Sequence, residues 1–573
     1  MKTLRTPLLI VALVSLWTAS ASAPALASPT QSLANLVLRY YNQAAQQGDP
    51  EAQNRLGVLN DQGQLMPQNS AQALIWFRRA AEQGYPLAQY NLGLLLLQGR
   101  GTVADPALAA TWFLKAAEQG YPAAQEQMAT LFDQGLGVKA DPVQAVTWLQ
   151  KAAQSGDAAA QNGLALRLLE GRGIARDTLA AVSWLSKAAE AGFGVAQQNL
   201  GVIYREGLAP VARDPALALK WLSAAANQGY ATAQNQLGWM LERGEAGPAD
   251  PVTARAWFLK AAEANDSPSQ LHLAQSAEQA RAWPEALHWF QRAAAQNNAI
   301  AQNQLGLIYM DGNSSLSIAP DFAAAQAWFQ KAATQNNADA LANLGIMAET
   351  GKGAAIDLAA ARNGFQKAAD LGHPLAQTRL GTLYLQQGQL NEAAAWMTRA
   401  AEAGYAPAQN NLGTLFEKGQ GVAKDAVQAA AWYRKAADQD DFIAQFNLGL
   451  LYRDGVGVAR DEEAALTWFQ KSAEHGHAKA QFNLAQMYER ILEKARTAAP
   501  AAAPVPAAVV PAAVVPAITP ITPITPKTLI PTPTPTPTPA ATPALTPPAP
   551  PAPPASPADL RDSSSAPAAH TPR

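Results

Sequence analysis

The sequence predicts an all-α protein, an α/α solenoid in which helix pairs stack one after another along the chain. Three observations point there: a recurring tryptophan, a signature of the form Ala-Gln-x-x-Leu-Gly that begins twelve residues after each one, and helix-cap residues around both. Most copies lie 36 residues apart, and a period of about 20 to 50 residues is typical of repeat arrays. The tryptophans are Trp76, Trp112, Trp148, Trp184, Trp221, Trp257, Trp289, Trp328, Trp396, Trp432 and Trp468.

Each copy contains two predicted helices, as the segment 88–123 illustrates. Residues 88–97 are apolar without strand-like alternation and end at Gly99, which indicates the first helix. Asp105 and Pro106 then suit the start of a second helix, because the carboxylate caps unpaired amides and proline is tolerated at the first helical position. That helix should end at Gly120, where other copies have Gly, Asn or Asp, residues that tolerate a left-handed backbone.

Packing between the helices is predicted from small and large residues. Gly or Ala always follows the signature leucine, as at Gly57, Gly93 and Ala129, so a neighbouring helix can approach closely. We expect the tryptophan to fill the gap between successive helix pairs as an apolar wedge, and therefore to belong to the core.

These motifs resemble the Sel1-like repeat, a relative of the tetratricopeptide repeat. Ala-Gln-x-x-Leu-Gly, Gly-x-Gly-Val, Asp-x-x-x-Ala and Trp-x-x-Lys-Ala-Ala follow one another, and Gly455–Val458, Asp461, Trp468 and Lys471–Ala473 form a nearly complete copy. The resemblance covers about residues 33–496. It implies about twelve repeats of antiparallel helix pairs wound into a right-handed superhelix.

A few copies depart from the pattern. Gly364 occupies a tryptophan position, which predicts a weak joint in the array. The 32-residue spacing from Ser269 to Ala301 predicts a tight turn in place of the glycine loop. The 39-residue spacing from Ala301 to Ala340 predicts a longer loop at residues 313–317.

The two ends of the chain are predicted to lie outside the solenoid. Lys2, Arg5, the apolar run 8–17 and the small residues of Ala25–Ala27 indicate a signal peptide over residues 1–27, followed by the solenoid at 28–496. We expect export to the periplasm, with secretion as the alternative. Residues 497–573 are rich in Pro, Ala and Thr and have no Phe, Trp or Tyr, which predicts a disordered tail. A spacer through the envelope, a ligand for a proline-binding groove and an O-glycosylated stalk are its alternative roles.

Composition excludes several classes of function. The chain has no cysteine, so disulfides, thiolate metal sites, a cysteine nucleophile and a lipidated cysteine are all excluded. A net charge of −2 without clustered Lys and Arg argues against nucleic acid as a partner. No segment after the leader offers about 20 consecutive apolar residues, so no transmembrane helix is predicted.

The candidate partner-binding residues are asparagines three residues after the signature alanine. Stacked first helices line the inner curve of a tetratricopeptide-like superhelix, where such amides can bind an extended peptide; a framework role between repeats is the alternative. They are Asn91, Asn199, Asn343, Asn411, Asn447 and Asn483.

A second row is basic and is predicted to be a solvated face. It comprises Arg79, Lys115, Lys151, Lys187, Lys260, Lys331, Lys435 and Lys471. His373 and His477 take an aromatic position of the repeat and are expected to pack there. No catalytic, cofactor-binding or metal-binding residue is predicted.

The function predicted is a non-enzymatic protein–protein interaction scaffold in the bacterial cell envelope, as the resemblance implies. One alternative is a secreted or envelope-spanning factor for host contact or cell-wall association through the tail. Another is a β-lactam hydrolase-like enzyme; the Sel1-like proteins linked to β-lactams carry a disulfide in each repeat, which this chain cannot form.

Overall fold

The computed structural model of the protein describes residues 29–498, which contain 26 α-helices and no β-strand. Both the proposed signal peptide and, past residue 498, the proposed tail lie outside the described residues. Two compact units divide the chain after Ala264. The described helices of the first unit are α1 Pro29–Gln46, α2 Pro50–Gln62, α3 Ser70–Glu82, α4 Pro86–Gln98, α5 Pro106–Glu118, α6 Pro122–Gln134, α7 Pro142–Gln154, α8 Ala158–Glu170, α9 Thr178–Glu190, α10 Gly194–Glu206, α11 Pro215–Asn227, α12 Ala231–Arg243 and α13 Pro251–Glu263.

The second unit repeats the same arrangement. Its described helices are α14 Ser267–Gln279, α15 Trp283–Ala295, α16 Ala299–Asp311, α17 Phe322–Ala333, α18 Ala338–Thr350, α19 Leu358–Asp370, α20 Pro374–Gln386, α21 Leu390–Glu402, α22 Ala406–Lys418, α23 Ala426–Ala437, α24 Phe442–Asp454, α25 Glu462–Glu474 and α26 Ala478–Ala498. Even-numbered helices carry the signature and are called first helices; odd-numbered ones are called second helices. Within each unit, sequential helices pack as stacked pairs, which confirms the predicted all-α solenoid.

Cap residues fix the helix ends as predicted. The Asp105 side chain accepts a hydrogen bond from the Leu108 amide at 2.9 Å at the start of α5. After α4, Gly99 takes a left-handed backbone with φ of 69°. The residue two positions after the end of a second helix, or three positions after α17 and α23, is left-handed as well, with φ of 83° at Gly120 and 64° at Asn297.

The core of each pair is a large side chain packed against the small residue of the first helix. Phe113 of α5 is fully buried, and a Cβ atom at Gly93 of α4 would lie 2.7 Å from its Cε1 atom. The slot opposite the glycine is thus filled by the residue after the tryptophan, which the sequence analysis did not single out.

The tryptophan itself packs one step further back. Trp257 of α13 lies on the buried cluster formed by α11 and α12, and Trp432 of α23 lies on the cluster of α21 and α22. It therefore covers the seam between its own first helix and the preceding second helix, which confirms the predicted wedge. We call this contact the tryptophan seam.

Two of the irregular copies have the loops that the sequence predicts. Only three residues join α14 to α15, and Arg281 there has a φ of 57°. In the longer loop after α16, a short 3₁₀ turn at Ser314–Leu316 is closed by paired backbone bonds between Asn313 and Ile318. Over residues 29–498, no helix is both long and apolar enough for a membrane span.

Candidate partner-binding surfaces

The signature glutamine joins three consecutive helices. In α4, Gln89 donates its Nε2 to the Ala81 carbonyl at the end of α3 (3.2 Å), and its Oε1 accepts from Gln119 at the end of α5 (2.8 Å). The same pairing of a cap glutamine with a signature glutamine joins Gln83 to Gln53, Gln228 to Gln197, Gln296 to Gln270, Gln335 to Gln302 and Gln439 to Gln409. The signature glutamines are buried, so their amides belong to the framework and are not available to a partner.

Where the cap residue is not glutamine, the pairing is incomplete. The buried Oε1 atoms without a hydrogen-bond partner within the described residues are those of Gln125, Gln161, Gln234, Gln377 and Gln445. The corresponding caps are Ser155, Ala191, Ala264, Ala403 and His475. One copy replaces both amides with the apolar residues Leu341 and Leu371.

Four of the six candidate asparagines bond to the preceding first helix. Each donates its Nδ2 to the Oδ1 of an asparagine there, at 2.9 to 3.1 Å: Asn91 to Asn54, Asn199 to Asn162, Asn343 to Asn303 and Asn447 to Asn410. This geometry gives them the framework role that was the alternative to partner binding.

The other two asparagines differ from these four. Asn483 donates to the Lys479 carbonyl at 2.8 Å and accepts from Arg453 at 2.7 Å. Asn411 is half-buried on α22 and makes no side-chain hydrogen bond within residues 29–498. The first helix before it has Thr378 where the four pairs have asparagine. Of the six, Asn411 therefore has the amide best placed to bind a partner.

The predicted solvated basic row covers the tryptophans. Lys115 places its Nζ 4.0 Å from the centre of the Trp112 ring, and Lys435 lies 3.7 Å from that of Trp432. A cation lies over the ring in all eleven copies that have the tryptophan. Each indole thus has one face on the seam and the other under a charge, so the tryptophans do not form an open aromatic surface.

The copy with Gly364 has an open cleft where the tryptophan seam would be. Its volume is about 630 Å³, between α17, α18 and α19. Leu341 and Leu344 of α18 and Ala333 of α17 form its apolar part, while Lys367 of α19 and Leu371, just after α19, stand at its edge.

An unusual carboxyl group lies on α6. Burial, and after it the charge of the nearby Asp157 carboxylate and the hydrogen bond shared with it, together raise the pKa of Glu126 to about 7. Burial raises the pKa of the neighbouring Tyr90 to about 12, with smaller upward contributions from Tyr121 and Glu126. The Tyr90 ring lies 5.4 Å from that of Tyr121.

The two histidines act as repeat residues, as predicted. His373 accepts a hydrogen bond at Nδ1 from the Ala376 amide (3.2 Å) and so caps α20, while its Nε2 lies 3.0 Å from Asp339. His477 packs edge-on against Phe446, with ring centres 4.8 Å apart. Among residues 29–498, no group of three or more His, Asp or Glu side chains could hold a metal ion.

The repeat itself decides the family. Fourteen segments between residues 38 and 490 match the Sel1 repeat, and together they cover well over half of the chain. The chain belongs to the Sel1 repeat family.

Solved structures of other Sel1-repeat proteins are similar to it. The protective antigen c5321 of uropathogenic Escherichia coli, which displays a Sel1-like repeat fold, is 33% identical over 79% of this chain and 90% of its own, with a TM-score of 0.55. A Sel1 repeat protein from Oxalobacter formigenes is 31% identical over 42% of this chain and 97% of its own, with a TM-score of 0.35. No curated protein matches the chain.

Two features of this Sel1-repeat protein were not predicted from its sequence. The cap glutamines could have been found, since Gln stands just before the helix-ending residue in half of the copies. The cleft could not, because Gly364 showed only that a ring is missing and not whether the neighbouring helices close the space.

Proposed function

We propose that the protein is a non-enzymatic interaction scaffold of the bacterial cell envelope. It is exported to the periplasm and binds protein or peptide partners on the surface of its stacked helix pairs. The Sel1 repeat family and the solenoid of the described residues support an interaction role. The leader-like residues 1–27 support export.

The observation that carries the proposal is the unpaired amide of Asn411. Elsewhere the polar side chains that recur along the first helices are largely bonded within the framework, whereas this half-buried amide has no internal partner. An amide can donate to one peptide group and accept from another, so it suits an extended backbone. Because the helices around it are already ordered, binding costs little ordering on the scaffold side.

The test is retention of partners from a periplasmic extract by the immobilised protein. We expect at least one protein to be retained at micromolar concentration, and Asn411→Ala to weaken its binding about three- to tenfold, the effect of one lost hydrogen bond. Gln428→Ala, an exposed change on the second helix of the same repeat, is the matched control. An extract from which nothing is retained would contradict the scaffold proposal.

A second candidate is a secreted or envelope-spanning factor for host contact or cell-wall association. Its support is the 33% identity with a protective antigen and the proline-rich tail. Deleting residues 497–573 should then release the protein from cell-wall fractions. Unchanged fractionation would contradict a spacer role for the tail.

The enzymatic alternative has a direct test as well. A β-lactam hydrolase-like activity requires turnover of a chromogenic β-lactam by the purified protein. We expect none above the rate in buffer.

A further inference from the structure

The tryptophan seam is closed in the same way in the copies of Trp257, Trp396, Trp432 and Trp468. The indole of a second helix covers the joint between its own first helix and the second helix before it, and a cation lies over the outer face of the ring. The copy with Gly364 is the exception, because its seam is the open cleft between α17, α18 and α19.

Gly364 has no side chain with which to close this seam. A Cβ atom there would lie 3.1 Å from the Gly345 Cα and 3.1 Å from the Leu341 carbonyl oxygen. The two glycines let α18 and α19 approach closely, so a Cβ atom at this point would make contacts tighter than ordinary van der Waals distance. Phe365, the next residue, is fully buried and fills its usual place in the core. The core of this pair is therefore intact, and only the outer seam is empty.

The cleft shares an apolar part and a lysine with the other seams, and the polar residues Gln330, Thr334 and Asn336 also line it. Leu341, in the apolar part of the cleft, is 8% exposed, whereas Leu371, at the edge of the cleft, is 51% exposed. Lys367 follows Gly364 by three residues, the spacing at which Lys435 covers Trp432. Within residues 29–498 its ammonium has neither a ring nor a carboxylate as partner, and it is exposed at the edge of the cleft.

We propose that this cleft binds an aromatic side chain of a partner protein, which takes the place of the missing tryptophan. The ring would lie on Leu341 and Leu344, and Lys367 would cover its outer face. An aromatic face attracts a cation, and the apolar part of the cleft would gain from burying the flat ring. The proposal rests on the scaffold function and names the chemistry of the partner.

Two further features limit what can bind. Asp370 also stands at the edge and accepts a hydrogen bond from Gln366 at 2.9 Å. The edge therefore carries the positive charge of Lys367 and the negative charge of Asp370, and it favours neither sign of charge in the partner. Residues 499–573 of the chain itself contain no Phe, Trp or Tyr, so the tail cannot supply the ring. A neutral aromatic group is thus the appropriate probe.

The experiment uses the full chain with ¹³C-labelled leucine methyl groups and N-acetyl-tryptophanamide as the probe. We expect saturable shifts of the Leu344 and Leu371 methyl signals, with dissociation in the millimolar range. N-acetyl-alaninamide should cause no such shifts. Lys367→Met should weaken binding about two- to fivefold, the effect of one cation over a ring at an exposed site. Lys435→Met, where the lysine covers the protein's own Trp432, is the matched control and should leave binding unchanged.

Equal binding by Lys367→Met and the wild type would overturn the proposal, as would shifts spread evenly over all leucines. Tighter binding after deletion of residues 499–573 would also overturn it, since the tail would then be the natural occupant. The scaffold function is tested by a different result, the retention of a partner from the extract. If the cleft binds no indole while a partner is still retained from the extract, the scaffold stands and the aromatic site falls.

Discussion

Single side chains explain why some joints between repeats are weaker than others. A buried acceptor that has lost its water and found no donor costs about 1–3 kcal/mol. Gln161 is such a case, because its Oε1 is buried without a partner in the described chain and the cap position of α9 is Ala191. Copies with glutamine at the cap pair the two amides at 2.7 to 2.9 Å.

We therefore expect Ala191→Gln to stabilise the protein. The new Nε2 would donate to Gln161 and raise the free energy of unfolding by about 1 kcal/mol. Urea denaturation followed by circular dichroism measures the change. Ala191→Met has a similar length without an amide and should give no gain. A gain of equal size in both variants would show that added surface, and not the hydrogen bond, is responsible.

Glu126 gives the stability of the protein a dependence on pH. Its pKa is about 7 in the folded chain and near 4.5 in the unfolded chain, so the folded state holds the proton more tightly. The stabilisation is fully present below about pH 4.5 and is lost as the pH rises through 7. Glu126→Gln remains neutral at every pH and should be more stable than the wild type by about 1–3 kcal/mol at pH 8.

A second measurement of the same two proteins at pH 4.5 is the control. At pH 4.5 the wild-type carboxyl is protonated in the folded state, so the two proteins should unfold at nearly the same urea concentration. A difference that stays constant between pH 4.5 and pH 8 would contradict the raised pKa and indicate a change in packing instead.

At the scale of one helix pair, the glycine of the first helix is required by the ring opposite to it. A Cβ at Gly93 would lie 2.7 Å from Phe113, which is fully buried and cannot move outward. Gly93→Ala should lower the free energy of unfolding by about 1–3 kcal/mol, as overpacking of a core does.

Gly163 of α8 is the matched control for that change. It is also a buried helical glycine, but a Cβ there would meet only Leu149 Cδ2 at 3.5 Å, an ordinary contact. Gly163→Ala should stabilise the protein by about 0.5–1 kcal/mol through helix propensity. If Gly93→Ala lowers the free energy of unfolding and Gly163→Ala raises it, the close approach of the Phe113 ring to Gly93 is established. Equal effects in urea denaturation would contradict it.

Much of this pair could be predicted from the sequence. Helix starts at Asp105 and ends at Gly120 follow from local cap chemistry, which needs no knowledge of other repeats. The ring that meets Gly93 could not be assigned, because Trp112 and Phe113 are both aromatic and only the rotation of α5 decides which points inward. The Asn91–Asn54 pair was likewise inaccessible, since its partners lie 37 residues apart on different helices.

At the scale of the whole chain, stability in a repeat array is close to a sum of repeat and nearest-neighbour terms. An aromatic residue buries about 150–250 Å² when it packs, and each Å² of apolar surface contributes about 25 cal/mol. A half-buried tryptophan seam is therefore worth about 2–3 kcal/mol. The joint of α17 with α18 and α19 lacks this contribution. Local opening should concentrate there, because segments with fewer buried contacts open at lower free energy.

We expect native-state hydrogen exchange to show this. Backbone amides in the middle of α19 should exchange about ten- to a hundredfold faster than those at the same positions of α23, since 1.4 kcal/mol corresponds to a factor of ten. The comparison is matched, because both are second helices of the same unit and differ at the tryptophan position, Gly364 against Trp432. Trp432→Ala supplies the converse, as it should raise exchange in α23 toward the rate of α19. Equal protection in the two wild-type helices would mean that the close contact of Gly364 with Gly345 compensates fully for the missing ring.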